Sequence, residues 1–305
     1  MNEQQLVRVV DAPPLRAAAP RRIGVHLSTA GGVFKAAERA HEVGANTLQI
    51  FSSSPRMWRP SKLAAAHCAQ MKELRERFDV GPLVIHASYL INLPSQSDEV
   101  RANSITAFRG EIERALALGA EYLVLHPGSW RGLTREQGVQ RAADAIEQAI
   151  AGLAWQGCNF RILLENTAGA EFSLGSSFEH LGALLRRLQP VAPVAVCLDT
   201  CHTHVAGYDI VSPAGYEATV AEIDRLIGFE EVRVWHMNDA KAARGSKLDR
   251  HEHIGEGTMG VGVFRRLLND PRFAHCAFVA ETPVDEPGDE ERNVRVLRSL
   301  LGRPA

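Results

Sequence analysis

From residue 22 onward the chain repeats one alternation eight times: a short apolar run, then a longer stretch in which apolar residues recur three or four apart. The runs are 23–27, 47–51, 83–86, 122–126, 162–165, 194–198, 232–235 and 278–280, rich in Val, Ile and Leu and bounded by turn residues. Strands buried on both faces read this way, because neither face has to meet water. The stretches 33–43, 99–118, 137–153 and 214–227 carry the spacing of amphipathic helices. Gly44, Gly119, Gly157 and Gly228 follow these four, where a left-handed residue is expected to end each helix.

Eight strand–helix units without a linker predict an α/β protein with a single (β/α)8 TIM barrel over residues 22–305. The competing open, doubly wound sheet would want a glycine-rich phosphate loop after the first strand. His26-Leu-Ser-Thr-Ala-Gly-Gly32 lacks the G-x-G-x-x-G pattern. Residues 1–21, with Pro13, Pro14 and Pro20, read as a flexible tail, and Glu3 and Asp11 argue against an organelle-targeting segment.

With 34 basic and 36 acidic residues the net charge is −2, so no global basic field announces a nucleic-acid partner. Attraction to a polyanion has to be local or supplied by bound metal. The five cysteines show no paired metal or redox spacing and fit reduced, mostly buried thiols in a cytoplasmic protein. No apolar run approaches the roughly 18 residues of a membrane span.

Active sites of such barrels lie at the C-terminal ends of the strands. Those positions hold His86, His126, Glu165, Asp199, His236 and Glu281. A single strand-end histidine or acid is more often a structural hydrogen-bonding group than a ligand. Six aimed at one axis, without metal, would leave buried polar groups and like charges unsatisfied. Asp199-Thr-Cys-His202 and Asp249-Arg-His251 add His202, Asp249 and His251, each within reach of the same cleft. Five histidines and four carboxylates exceed what one zinc uses and suit two or three ions. Imidazole-rich ligation favours Zn2+, with Mn2+ or Fe2+ as substitutes, over magnesium or calcium. Ions about 3.5–4 Å apart are a known solution for phosphodiester hydrolysis. Among the other histidines, His26 is a candidate partner orienting a ligand, and His204 and His253 are bystanders. His41, His67, His180 and His275 are expected at the surface.

The residues carry a specific resemblance. Gly24-Val-His-Leu-Ser28, His86-Ala-Ser-Tyr-Leu-Ile-Asn92, His126-Pro-Gly-Ser129, Leu164-Glu-Asn-Thr-Ala-Gly169, Asp199-Thr-Cys-His202, Gly207-Tyr-Asp209, His236-Met-Asn-Asp-Ala-Lys241, Asp249-Arg-His251 and Gly255-Glu-Gly257 resemble the motifs of the endonuclease IV family, in order, from about Arg22 to Leu300. The resemblance implies a trinuclear zinc site. His86, His126 and Glu165 would hold one ion, and Glu165 would bridge to a second held by Asp199, His236 and Glu281. His202, Asp249 and His251 would hold the third. Glu165 and Glu281 are the carboxylates on which catalysis is expected to rest. The implied reaction is cleavage of duplex DNA 5′ to an abasic site, leaving a 3′-hydroxyl and a 5′-deoxyribose phosphate, with trimming of blocked 3′ ends. A monomer, cytoplasmic and nucleoid-associated in a bacterium, is expected.

Family members insert side chains from the loops after strands two and three into the duplex, and here Arg56, Met57, Tyr89 and Leu90 fall on those positions. Met57 stands where a glutamine wedge is familiar, Pro55 precedes Arg56, and Trp130 replaces a familiar histidine. An apolar wedge can still part stacked bases. Two other readings are a metal-dependent sugar isomerase of related architecture and a non-catalytic damage-binding protein. The first would prefer a carboxylate-rich site, and the second has no need of a complete ligand set.

Overall fold

Strands of four to six residues, each buried along most of its length, leave their backbone groups no partner but another strand, and here eight of them close into a ring. The computed structural model describes residues 20–60 and 62–302. In chain order it contains β1 (Arg22–His26), α1 (Phe34–Glu42), β2 (Thr47–Phe51), α2 (Ala65–Phe78), β3 (Leu83–His86), α3 (Asp98–Leu118), β4 (Tyr122–Leu125), α4 (Arg135–Ile150), β5 (Arg161–Glu165) and α5 (Phe178–Leu188). There follow β6 (Val194–Asp199), α6 (Thr200–Ala206), α7 (Pro213–Leu226), β7 (Val232–His236), β8 (Asp239–Ala240), β9 (His251–Glu252), α8 (Val261–Asn269), β10 (Ala277–Ala280) and α9 (Asp289–Ser299). The ring runs β1-β2-β3-β4-β5-β6-β7-β10 and is parallel throughout, closed by β1 against β10 with Gly24 opposite Val279. Gly24 is required where it stands: a Cβ there would lie 2.0 Å from the Thr47 carbonyl oxygen.

Two cores follow from the alternation of side chains along each strand. Outward residues such as Ile23, Leu48, Ile50 and Leu164 pack against Phe108, Ile146, Leu181 and Phe264 of the helices. Inward residues Val84, Val124, Leu163, Ala195, Cys197, Val234, Ala277 and Val279 plug the barrel itself. Burying each large apolar side chain contributes roughly 1.5–3 kcal/mol.

The helix ends show where local chemistry decides. Gly119 ends α3 in the left-handed region at φ 68°, and Gly44 and Gly228 follow α1 and α7 at φ 73° and 91°. The expectation for Gly157 is corrected. Helix α4 opens on the Thr134–Gln137 capping box but stops at Ile150, and the first left-handed turn residue is Gly152 (φ 73°). The expected tail lies outside the described residues up to position 19; Arg21 already donates to the Asp270 carbonyl at 3.0 Å. Among the described residues no helix is long and apolar enough to cross a membrane.

Candidate metal centre

Each of the six strand-end candidates stands two residues beyond an inward-facing residue of the barrel plug. Val84 leads to His86, Val124 to His126, Leu163 to Glu165, Cys197 to Asp199, Val234 to His236 and Val279 to Glu281. The period of two therefore aims all six at the barrel axis, just above its apolar filling. Buried Glu165 is the centre. Its Oε2 lies 3.3 Å from His86 Nε2 and 3.0 Å from His126 Nε2, and its Oε1 lies 2.9 Å from His236 Nδ1. Glu281 Oε2 is 3.1 Å from the same His236 nitrogen, and Asp199 Oδ2 is 3.9 Å from it. Farther out, Asp249 reaches His202 Nε2 at 3.3 Å and His251 Nε2 at 3.2 Å. All nine candidates thus converge, and their ligand atoms form a group of His86, His126 and Glu165, a group of Glu165, Asp199, His236 and Glu281, and a group of His202, Asp249 and His251. A cavity of about 250 Å³ opens over them, bounded by Phe51, Tyr89 and Val284.

The outer group is placed by two local devices. Asp199 caps α6, accepting from the His202 N–H at 2.8 Å, so helix and histidine are fixed by the acid that ends β6. His251 lies on β9, which pairs antiparallel with β8 (Ala240 opposite His251). The buried Asp239 carboxylate holds this excursion, accepting from the N–H groups of Ala240, Gly255, Met259 and Gly260 at 2.8–3.3 Å. Gly257 passes so close that a Cβ would lie 2.4 Å from the Ala240 carbonyl oxygen.

Several contributing residues escape strand-end reasoning. Asn238 donates to Asp199 Oδ2 at 2.5 Å and accepts from the Glu281 N–H at 2.7 Å. Asn166 accepts from the Asp199 N–H at 2.6 Å. Gln49, buried in the middle of β2, touches both His236 and Glu281. Cys197 lies within ligating reach of Glu165 and His236, although the expected donor set contains no cysteine. Its place two residues before Asp199 is the signal that was available. Cys201 similarly neighbours Asp199 and His251.

The donor chemistry fits metal ions. His86 Nδ1 donates to the Ala87 carbonyl (2.8 Å), His202 Nδ1 to the Asn166 carbonyl (2.9 Å) and His251 Nδ1 to the Glu281 carbonyl (3.0 Å). A neutral ring that donates from its rear nitrogen presents a lone pair at the front. Those fronts face carboxylate oxygens, lone pair against lone pair. Accordingly Glu165 Oε2, His202 Nε2 and His251 Nε2 are buried without a hydrogen-bond partner among the described residues. Two things relieve that arrangement: a proton on the ring, or a metal ion seated between ring and carboxylate. Burial alone would depress His202 and His236, but their acidic surroundings outweigh it and hold both well above the ordinary imidazole value. Burial also works against His251, which Asp249 and Asp199 raise to about 9. Glu165, which burial would raise, is instead pulled well below the usual carboxylate range by His236 and His126.

The expected DNA-contacting residues form the rim. Met57 and Tyr89 are 60% and 63% exposed, Trp58 and Arg56 are exposed beside them, and Leu90 is half-buried. The loop after β2 is tied to the loop after β3 by a 2.7 Å hydrogen bond from Ser88 Oγ to the Pro55 carbonyl. His26 lies beside Gln49 (3.0 Å) and Glu281 (3.7 Å). His204 and His253 are buried and bond Thr258 and Asn293. The surface expectation for His180 is corrected: it is buried under the edge of Trp130, with ring centroids 5.3 Å apart, because that tryptophan arrives from the loop after β4.

The barrel defines the class first: residues 37–300 match the family model described as "Xylose isomerase-like TIM barrel". Within that class the matches are specific. "Probable endonuclease 4" of Solibacter usitatus is 47% identical over 283 residues, covering 92% of this chain and 97% of that protein. The protein of the same name from Chloroflexus aggregans is 44% identical, with 92% and 98% covered. The crystal structure of endonuclease IV from Thermus thermophilus superposes with a TM-score of 0.81 at 38% identity, covering 92% of this chain and 98% of that one. The chain belongs to the endonuclease IV family and is a DNA-cleaving hydrolase of DNA repair.

Proposed function

We propose that the protein hydrolyses the phosphodiester 5′ to an abasic site in duplex DNA at a centre of three zinc ions, leaving a 3′-hydroxyl and a 5′-deoxyribose phosphate, and trims blocked 3′ ends. The carrying observation is that His202 Nε2 and His251 Nε2, facing Asp249, and Glu165 Oε2, facing His86 and His126, are buried without hydrogen bonds among the described residues. His86, His126 and Glu165 would hold one ion, Glu165, Asp199, His236 and Glu281 a second, and His202, Asp249 and His251 the third. Zinc there would supply Lewis acidity toward a phosphodiester and acidify water to near-neutral pKa. The chain's own part is to fix the donors: Asn166 and Asn238 hold Asp199, and Asp239 holds the excursion bearing Asp249 and His251.

The rim supports the DNA reading. Arg56, Arg59 and Lys62 follow β2, and Lys241, Arg244, Lys247 and Arg250 lie between β8 and β9, all exposed. This local positive charge suits phosphates although the whole chain carries −2. Met57 and Tyr89 are large and exposed, and would enter the duplex at a step weakened by the missing base. The imidazole-rich floor weighs against the sugar-isomerase alternative.

The test is a duplex bearing one tetrahydrofuran abasic analogue. The purified, zinc-loaded protein is expected to nick it 5′ to the lesion and to lose activity to a strong zinc chelator. Fully metallated protein that leaves the duplex intact would overturn the proposal.

A further inference from the structure

Beyond the ligands, β2 carries an anomaly. Its sequence, Thr-Leu-Gln-Ile-Phe, puts a fully buried primary amide in the wall of a barrel otherwise plugged by apolar side chains. Burying an amide costs free energy unless its hydrogen bonds are made, and a branched aliphatic residue would fill the position without that cost. Both ends of the Gln49 amide are engaged. Its Oε1 lies 2.8 Å from His236 Nε2. Its Nε2 donates to Glu281 Oε1 and lies 3.0 Å from His26 Nδ1. Both donor hydrogens and one of the two acceptor lone pairs meet partners. The orientation is determined as well: a reversed amide would set its oxygen against the Glu281 carboxylate and its NH2 against the N–H of His236.

We infer that Gln49 is a positioning residue, which keeps the proton of His236 on Nε2 so that Nδ1 faces the metal centre, and steers Glu281 toward the same ion. His236 Nδ1 is the nitrogen that lies 2.9 Å from Glu165 and 3.1 Å from Glu281. Without an acceptor behind Nε2 the ring loses what distinguishes its two tautomers, and Glu281 loses one of the donors that orient it. His26, on the neighbouring strand and opposite Gln49 in register, accepts the remaining amide hydrogen and holds the amide in place. The two strands that contribute no candidate ligand thus contribute support for His236 and Glu281.

The inference rests on the metal-centre reading, and the experiment separates the two. Zinc content of the unaltered protein reports on the centre itself: protein that binds no zinc overturns that reading and this one with it. In zinc-loaded protein labelled with 15N-histidine, His236 is expected to carry its proton on Nε2, and a proton on Nδ1 overturns the inference with no mutation needed. Gln49→Leu, close in volume, is expected to release one zinc about 10–100-fold more readily in chelator competition, the loss typical of removing a hydrogen-bond partner behind a ligand, while the remaining zinc is held as before. Unchanged retention of every zinc would mean that Gln49 only fills space. Gln49→Glu keeps an acceptor for the His236 N–H but sets a carboxylate against Glu281. It is expected to keep the Nε2–H signal and still hold that zinc less tightly; loss of the signal overturns the orienting role.

Discussion

The floor of the cleft and its rim are built by opposite means. On the floor, His86, Glu165, Asp199 and His236 are buried at the ends of parallel strands; His86, Asp199 and His236 are each fixed by a hydrogen bond to a neighbouring backbone or amide group, and Glu165 meets the His236 ring. On the rim, Arg56, Met57 and Tyr89 project from loops into solvent, and a side-chain bond from Ser88 to Pro55 joins the two loops. Rigid donors suit a centre whose ligand distances cannot vary. Exposed, adaptable side chains suit a duplex that has to be bent and parted. The two should therefore fail separately: floor substitutions should remove metal and chemistry together, rim substitutions only affinity.

The largest effect is expected at Glu165, where two of the candidate groups meet. Glu165→Ala should lose at least two ions per molecule by elemental analysis and slow nicking by roughly 10²–10³-fold, the scale seen when a key electrostatic group is removed from an active site. Full metal content in the variant would refute the bridging role and blur the line between floor and rim.

This division also explains what was legible before the structure. A strand buried on both faces reads as an unbroken apolar run, and the first polar residue after it lies at the strand end, so barrel and floor could be read together. His251 could be suspected but not placed. Its position depends on a two-residue ladder held by the four N–H groups that Asp239 collects from as far away as Gly260, a tertiary arrangement without a local signature. Gln49 was passed over because one amide within an apolar run reads as a blemish until its partners on β7 and after β10 are seen. His180 was misplaced for a related reason: the residue that covers it, Trp130, lies fifty positions away. What the strand period dictates was readable even across the barrel, and contacts that depend on how loops and lone polar residues meet were not.

At the rim, Tyr89 makes the sharper test, because its ring packs at 5.3 Å from Phe51 and 5.7 Å from His86 without offering an atom to the candidate metal groups. Tyr89→Ala should weaken binding to the abasic duplex about tenfold, in the range of one lost aromatic–base contact, with zinc content unchanged. Loss of zinc along with affinity would make the ring part of the floor. Arg56→Ala should do less. Affinity should fall a few-fold, and the slope of log K against log salt should drop by about one, as for a single phosphate contact. An unchanged slope would remove Arg56 from the phosphate-binding surface.

The smallest expected effect concerns how the rim is joined to the barrel. Asp209, in the turn before α7, accepts from the N–H groups of Val211 and Ser212 at 3.0 Å and from Ser212 Oγ at 2.7 Å. It also reaches Arg244 of the basic excursion at 3.0 Å. The Ser212 hydroxyl and N–H lead in lowering its pKa to about 2, with the Val211 N–H and Arg244 adding to the shift. Since the folded pKa lies below the unfolded value near 3.8, the charged form stabilises the fold above that value. The contribution is lost as the pH falls toward 2. In protein stripped of metal, so that ligand release does not contribute, the melting temperature of the unaltered chain should decline more steeply between about pH 4 and 2 than that of Asp209→Asn. Above about pH 5 the unaltered chain should be modestly the more stable. Parallel curves would show that the turn holds without its charge. The excursion carrying Asp249 and His251 would then owe its position to Asp239, the β8–β9 pairing and the backbone bonds to α6, which places its anchor with the floor and not with the rim.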